Sequence, residues 1–179
     1  MYISEKKHQL FYGVKMINKG LFTSDKDDWQ TPKWLFDKLH KHFKFNLDVC
    51  ADDLNALCDK FYTKYDSCLD KDWEVCNFMN PPYGREISKF VKKAHDQWID
   101  NDCTTVALLP ARTDTKWFHN YIYQPADIIF IKGRLKFEGG EKLAPAPFPS
   151  MIVIWWGTKK ITDNDFLSEE KLQKLINAK

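Results

Sequence analysis

The sequence predicts an α/β domain built on a mostly parallel sheet with helices on both faces. VCNFMN at 75–80, TTVALL at 104–109, DIIFI at 127–131 and SMIVIWW at 150–156 are near-continuous apolar runs, the pattern of strands buried on both sides. Between them lie stretches whose apolar residues recur at helical spacing, and strands alternating with helices build parallel sheets. The 179 residues, 44% of them hydrophobic, suffice for one domain with a sizeable core and are too few for two. Residues 1–28 read as a peripheral arm or short hairpin, and 29–179 as the single domain.

The first helical pattern is PKWLFDKLHKHF, where Leu35, Phe36, Leu39 and Phe43 share a face. Thr31 is placed to cap it, with Pro32 at the first helical position. FNLDVCA at 45–51 is a short strand whose C-terminal end carries Asp48, Cys50 and Ala51. Residues 52–74 are polar and acidic, with a short helix expected near Leu54–Cys58 and irregular chain after it. VCNFMN is stopped by Pro81 and Pro82. Beyond Gly84, the stripe Ile87, Phe90, Val91, Ala94, Trp98 and Ile99 predicts an amphipathic helix. TTVALL ends at Pro110, Thr115–Tyr123 is helical, and 134–149 forms a hairpin and proline-rich loop. SEEKLQKLINA at 168–178 is expected as an exposed helix, its capping box at Ser168 spoiled because Lys171 cannot return the bond.

Composition excludes several classes. The longest apolar runs are far below the roughly 20 residues that span a membrane, and the charged, barely apolar N-terminus is not the pattern of a signal peptide. Five cysteines, an odd number without a CxxC pair, suggest neither a disulfide framework nor a zinc knuckle. Buried thiols in a reducing cytoplasm fit them better. The net charge of +2 is uninformative, although 21–80 holds eight Lys/Arg against twelve Asp/Glu between two mildly basic segments. That distribution permits a nucleic-acid face without requiring one.

The chemistry resides in Asn80-Pro81-Pro82-Tyr83, directly after a buried strand. In open α/β sheets ligands bind beyond the carboxyl ends of the strands, where LDVCAD, NPPYG and LPARTD would gather. Two successive prolines remove two backbone donors and enforce an extended turn, leaving carbonyl oxygens free. The Asn side chain adds an acceptor and Tyr a flat ring. This set suits a planar substrate bearing an NH₂ group: the acceptors take its hydrogens, the ring stacks on its face, and fixed dipoles stabilise charge developing on nitrogen. Asp48, in the middle of an apolar run, needs a ligand or a strong hydrogen bond to offset its burial.

WQTPKWLF at 29–36, LDVCAD with NALC at 47–58, NPPYG at 80–84, LLPARTDTKWFH at 108–119, and GRLKFEG with PAPFPS at 133–150 together resemble the phage-type DNA N6-adenine methyltransferases (Dam-like). The resemblance implies a Rossmann-like methyltransferase fold, S-adenosylmethionine as methyl donor, double-stranded DNA as partner and the amine of a flipped adenine as acceptor. It implies that Asn80 and the Pro81 carbonyl hold the amine, with Pro82 completing the turn, and that Tyr83 stacks on the base. Asp48, Cys50 and Ala51 fall where the donor pocket is expected, Thr31 and Pro32 in an upstream TP motif near the donor, and Asn55 and Asp72 among further donor residues. A phage protein of this kind would work in the host-cell cytoplasm, in genome protection or restriction-modification. One departure stands out: LDVCAD has no glycine, so its loop must hold the donor differently from a GxGxxG turn. Direct displacement at the sulfonium methyl needs neither a covalent enzyme intermediate nor a metal.

Arg85, Arg112 and Arg134 each follow a strand or tight turn on the cleft side, positioned to meet phosphate or a guanine edge. Trp29 and Trp73 adjoin the site motifs, where either ring could stack on a base or on the donor. His119 reads as structural. Two other readings compete: an NPPY enzyme acting on RNA or on protein glutamine, and a catalytically inactive nucleic-acid-binding module.

Overall fold

The computed structural model describes residues 29–138, 145–158 and 169–178. The arm expected over 1–28 and the Ser168 cap therefore lie outside the described residues. A five-stranded sheet is formed by β1 (Leu47–Asp48), β2 (Cys76–Met79), β3 (Thr104–Pro110), β4 (Asp127–Phe130) and β5 (Ser150–Trp155), in spatial order β1-β2-β3-β5-β4. The first three pair in parallel. β5 is antiparallel to both its neighbours, β3 and β4. Four strands thus point one way and β5 runs against them, so the sheet is mixed rather than mostly parallel in its pairings. β4 follows β3 through a helix, as strands that run the same way require, whereas β5 pairs antiparallel with β4, an arrangement that needs no helical crossover.

Every residue of β2, β3 and β5 is buried. Phe78, Val106 and Ile154 stand in one register row, Asn77, Thr105 and Trp155 in the next, and the period of two sends these rows to opposite faces. On the first face Phe78 meets Phe36 of α1 (Lys33–Phe43). On the second, the Trp155 indole donates to the carbonyl of Tyr121 in α3 (Lys116–Tyr121). α2 (Ile87–Asn101) packs beside α3, and α4 (Glu169–Asn177) beside α1 and β4.

Four expectations are corrected. Pro32, at φ −60° and ψ 127°, is the N-cap of α1 rather than its first helical residue, and Thr31 caps nothing. The Lys33 N–H is taken instead by the carboxylate of Glu138, at 2.9 Å. Residues 53–55 make a turn and not a helix, because the Asp52 carboxylate accepts the N–H groups of Leu54 and Asn55. In α2, Ile99 is 58% exposed while Gln97 is buried, its Oε1 accepting the Trp73 N–H at 2.7 Å. Finally, α4 is docked: Leu172 and Ile176 enter the core, and Gln173 and Asn177 donate to the Phe130 carbonyl on edge strand β4. A helix laid along an open edge removes its unpaired polar groups from reach of other strands. Among the described residues no helix is long and apolar enough to cross a membrane.

Where β5 ends, Gly157 runs so close to the turn after α2 that a Cβ would lie 2.2 Å from the Asp102 carbonyl oxygen. Gly157→Ala should therefore destabilise the domain by about 1–3 kcal/mol, as overpacking does. A thermal melt unchanged from the parent protein would contradict this close approach.

Candidate active site

A cleft of about 480 Å³ opens at the carboxyl ends of β1 and β2. Such a volume accommodates a drug-sized ligand. One wall is the loop after β1, from Asp48 to Leu57. A second is the elbow Asn80, Pro81 and Pro82, and a third the segment Trp29–Thr31. Thr63, Lys64, Ser67, Cys68 and the ring of Phe90 close it.

Asn80 dominates the geometry. Its Nδ2 donates to the Trp29 carbonyl at 2.5 Å and to Thr31 Oγ1 at 2.9 Å. Its Oδ1 is buried and has no partner. Buried side-chain oxygens without a donor are uncommon; among the described residues Thr105 Oγ1 and Ser150 Oγ are others, and of these three only Asn80 Oδ1 belongs to a residue that lines the cleft. The elbow's other end is fixed as well. The Tyr83 hydroxyl donates to the Leu108 carbonyl at 3.0 Å, and its ring stands edge-on to Phe137 and Phe148. Tyr83 is only 3% exposed and burial drives its phenol well above the ordinary range, with Arg112 acting weakly the other way. The ring expected to stack on a base is thus enclosed in an aromatic cage and does not line the cleft. Trp29 shares that cage, edge-on to the same two phenylalanines, and does line the cleft.

The loop after β1 explains its own lack of glycine. Among the described residues, positive φ occurs at Lys44, Asp102, Gln124 and Gly133, so the chain from 49 to 58 turns without any left-handed residue. Asp48 holds it: Oδ1 accepts from the Cys50 N–H at 3.3 Å and Oδ2 from Leu57 at 3.2 Å. Asp52 and Asn55 staple the tip, Nδ2 of Asn55 meeting Asp52 Oδ2 at 2.7 Å and presenting Leu54, which is 98% exposed. Asp48 is 3% exposed, and desolvation raises its pKa to about 6 against the two backbone hydrogen bonds that lower it. The Cys50 thiol is pushed well above its usual value by burial and by the neighbouring Cys68. Cys50 is thus a neutral wall group, unsuited to nucleophilic work.

Of the residues predicted from sequence, Thr31, Asp48, Cys50, Ala51, Asn55, Asn80, Pro81 and Pro82 converge on the cleft. Pro32 does not line it and serves the start of α1. Asp72 is elsewhere: it precedes β2, at the opposite end of the sheet, with its carboxylate on Asn101 and its carbonyl on the Tyr62 hydroxyl. Trp73 is structural, its indole donating to the Cys68 carbonyl. Arg85, Arg112 and Arg134 are exposed and follow β2, β3 and β4, three strands that run the same way, so they share the rim at the cleft's end of the sheet. The His119 ring is exposed, set against Phe118 and Tyr123 outside the cleft. Sequence reasoning missed the part of Glu138, which reaches the cleft mouth and binds the α1 N-terminus. No local pattern announces such a contact across 105 positions.

The cleft thus brings together a buried carboxylate, a stapled polar loop and the buried, unpartnered amide oxygen of Asn80. Comparison with known proteins identifies the family. Residues 19–176 match the family described as DNA N-6-adenine-methyltransferase (Dam). A DNA N-6-adenine-methyltransferase of Haemophilus phage HP1 is 36% identical over 148 residues, covering 78% of this chain and 84% of that protein. One from Escherichia phage T1 is 37% identical over 143 residues, covering 69% of this chain and 59% of its own length.

Asp48 also carries a stability signature. Its folded pKa lies above the unfolded value, so its favourable contribution is complete below about pH 4 and is lost as pH rises through about 6. Relative to Asp48→Asn, the parent protein should gain about 2 kcal/mol between pH 6 and pH 4. Paired denaturation curves across that range measure it; a constant difference between the two proteins would refute the raised pKa.

Proposed function

The chain belongs to the DNA N-6-adenine-methyltransferase (Dam) family, and from that premise we propose a finer reading: transfer of a methyl group from S-adenosylmethionine to the exocyclic amine of an adenine turned out of duplex DNA into the cleft. The observation that carries it is the buried, unpartnered Oδ1 of Asn80 at the tip of β2. An adenine amine offers two hydrogens, and it is reachable only when the base has left the stack.

Asn80 Oδ1 accepts one of those hydrogens and the Pro81 carbonyl the other, which draws the nitrogen lone pair out of conjugation with the ring. As the nitrogen gains positive charge, the same two oxygens oppose it with fixed dipoles that need no reorganisation. Asp48, Cys50, Ala51 and Asn55 line the side of the cleft that would hold the donor. When bound, S-adenosylmethionine supplies an electrophilic methyl group on a sulfonium. The stapled β1 loop and the elbow hold the two reactants in line, converting a bimolecular encounter into a positioned one. Tyr83 serves this reading as a brace, its ring and hydroxyl keeping the elbow rigid from within the core. Arg85, Arg112 and Arg134 supply positive charge on the rim, where the duplex backbone would pass.

Labelled methyl transfer to unmethylated duplex DNA, followed by nucleoside analysis, should yield N6-methyladenine. Asn80→Ala should lower turnover by about a hundredfold or more while donor binding is retained; turnover that survives the change would remove Asn80 from the chemistry. Replacing Arg85, Arg112 and Arg134 singly by Gln should weaken DNA binding at all sequences. Each lost phosphate contact should reduce the slope of log affinity against log salt by about 0.9, and unchanged slopes would place the duplex on another surface.

A further inference from the structure

An amide side chain can present either its oxygen or its nitrogen to a cleft, and only the oxygen can take a hydrogen from an amine. The surroundings of Asn80 decide which. The Trp29 carbonyl is an acceptor without hydrogens, so the atom 2.5 Å from it must be the nitrogen. The second Nδ2 hydrogen goes to Thr31 Oγ1 at 2.9 Å. Both donors are consumed, and Oδ1 is left buried without a partner. Thr31 is 7% exposed and makes no cap for α1, so its hydroxyl has no competing duty to the helix.

We propose that Thr31 is a positioning residue: its hydroxyl, together with the Trp29 carbonyl, holds the Asn80 amide with Oδ1 turned toward the acceptor amine. This rests on the reading of Asn80 given above and extends it to a residue that the sequence alone suggests as a donor contact. The segment carrying Thr31 is anchored on both sides. The Trp29 ring sits edge-on to Phe137 and Phe148, Gln30 accepts the Glu138 N–H at 2.9 Å, and Glu138 accepts that of Lys33. Rigid support of this kind is what a hydrogen-bonded site needs to hold a productive geometry. The arrangement also accounts for Asn rather than Asp at position 80, since a carboxylate would set an oxygen against the Trp29 carbonyl with no hydrogen between them.

The test compares Thr31→Val, which keeps the shape and loses the hydroxyl, with Thr31→Ser, which keeps the hydroxyl. Thr31→Val should lower kcat for DNA methylation about tenfold, the effect of one lost hydrogen bond on the reacting geometry, with KM for S-adenosylmethionine and for DNA within about twofold of the parent. Thr31→Ser should restore kcat to within about threefold. In nitrogen-15 spectra of the full chain, the Asn80 side-chain hydrogens should exchange slowly in the parent and in Thr31→Ser. Unaltered kcat in Thr31→Val would overturn the proposal, as would a Ser variant as slow as the Val one. A loss expressed only as raised KM for the donor would instead make Thr31 a donor ligand. Should Thr31→Val fail to fold, fast exchange of the Asn80 hydrogens in the parent protein would still overturn the assignment and slow exchange would support it. A parent protein that exchanges slowly but methylates no adenine would spare the positioning claim and sink the reading of the cleft.

Discussion

The site depends on one hydrogen-bonded junction: the Asn80 amide spends both its N–H donors on Trp29 and Thr31 and keeps its oxygen unpaired. Everything that surrounds it resists its rotation. The strand behind it is fully buried, the prolines that follow restrict the chain, and Tyr83 ties the far end to β3 through the Leu108 carbonyl. Phe137 and Phe148 touch both Trp29 and Tyr83, so a single aromatic cage stiffens the two segments that bracket the unpaired oxygen. An unpaired buried acceptor is unfavourable in the free protein, and in the proposed reading that cost is relieved when a substrate hydrogen arrives.

The opposite wall is built by a different device. Nucleotide-type loops commonly use glycines to bring backbone N–H groups around an anion, and here a carboxylate gathers them from its own side. Asp48 draws in the N–H groups of Cys50 and Leu57, while Asp52 and Asn55 close a turn beyond it. Those donors are satisfied within the protein, so the loop is suited to a cationic or neutral ligand better than to a phosphate. The proposed sulfonium-bearing donor would match that electrostatics, and the raised pKa of Asp48 means that its charge is sensitive to what comes to lie against it.

Much was legible from local pattern. Apolar runs located β2, β3, β4 and β5 to within a residue or two, and helical spacing located α1 and α2. The NPPY tetrapeptide marked the elbow whose first three residues line the cleft, because two prolines after a buried strand enforce a turn wherever they stand. What failed failed for non-local reasons. Gln97 displaced Ile99 from the buried stripe because the Trp73 N–H needed an acceptor there. α4 left solvent because the edge of β4 offered it bonds. Asp72 looked like a donor ligand until strand direction put it at the wrong end of the sheet.

Composition and short-range order thus settled the α/β type of the domain and the order of its elements, since each follows from steric and hydrogen-bonding properties of neighbours in the chain. Folding alone decided that β5 would run against the other strands, that Tyr83 would brace rather than face the cleft, and that Thr31 would serve Asn80 rather than a helix. Those outcomes turn on which donors and acceptors meet across tens of residues, and a buried polar group accepts whichever partner the packed chain brings within about 3 Å.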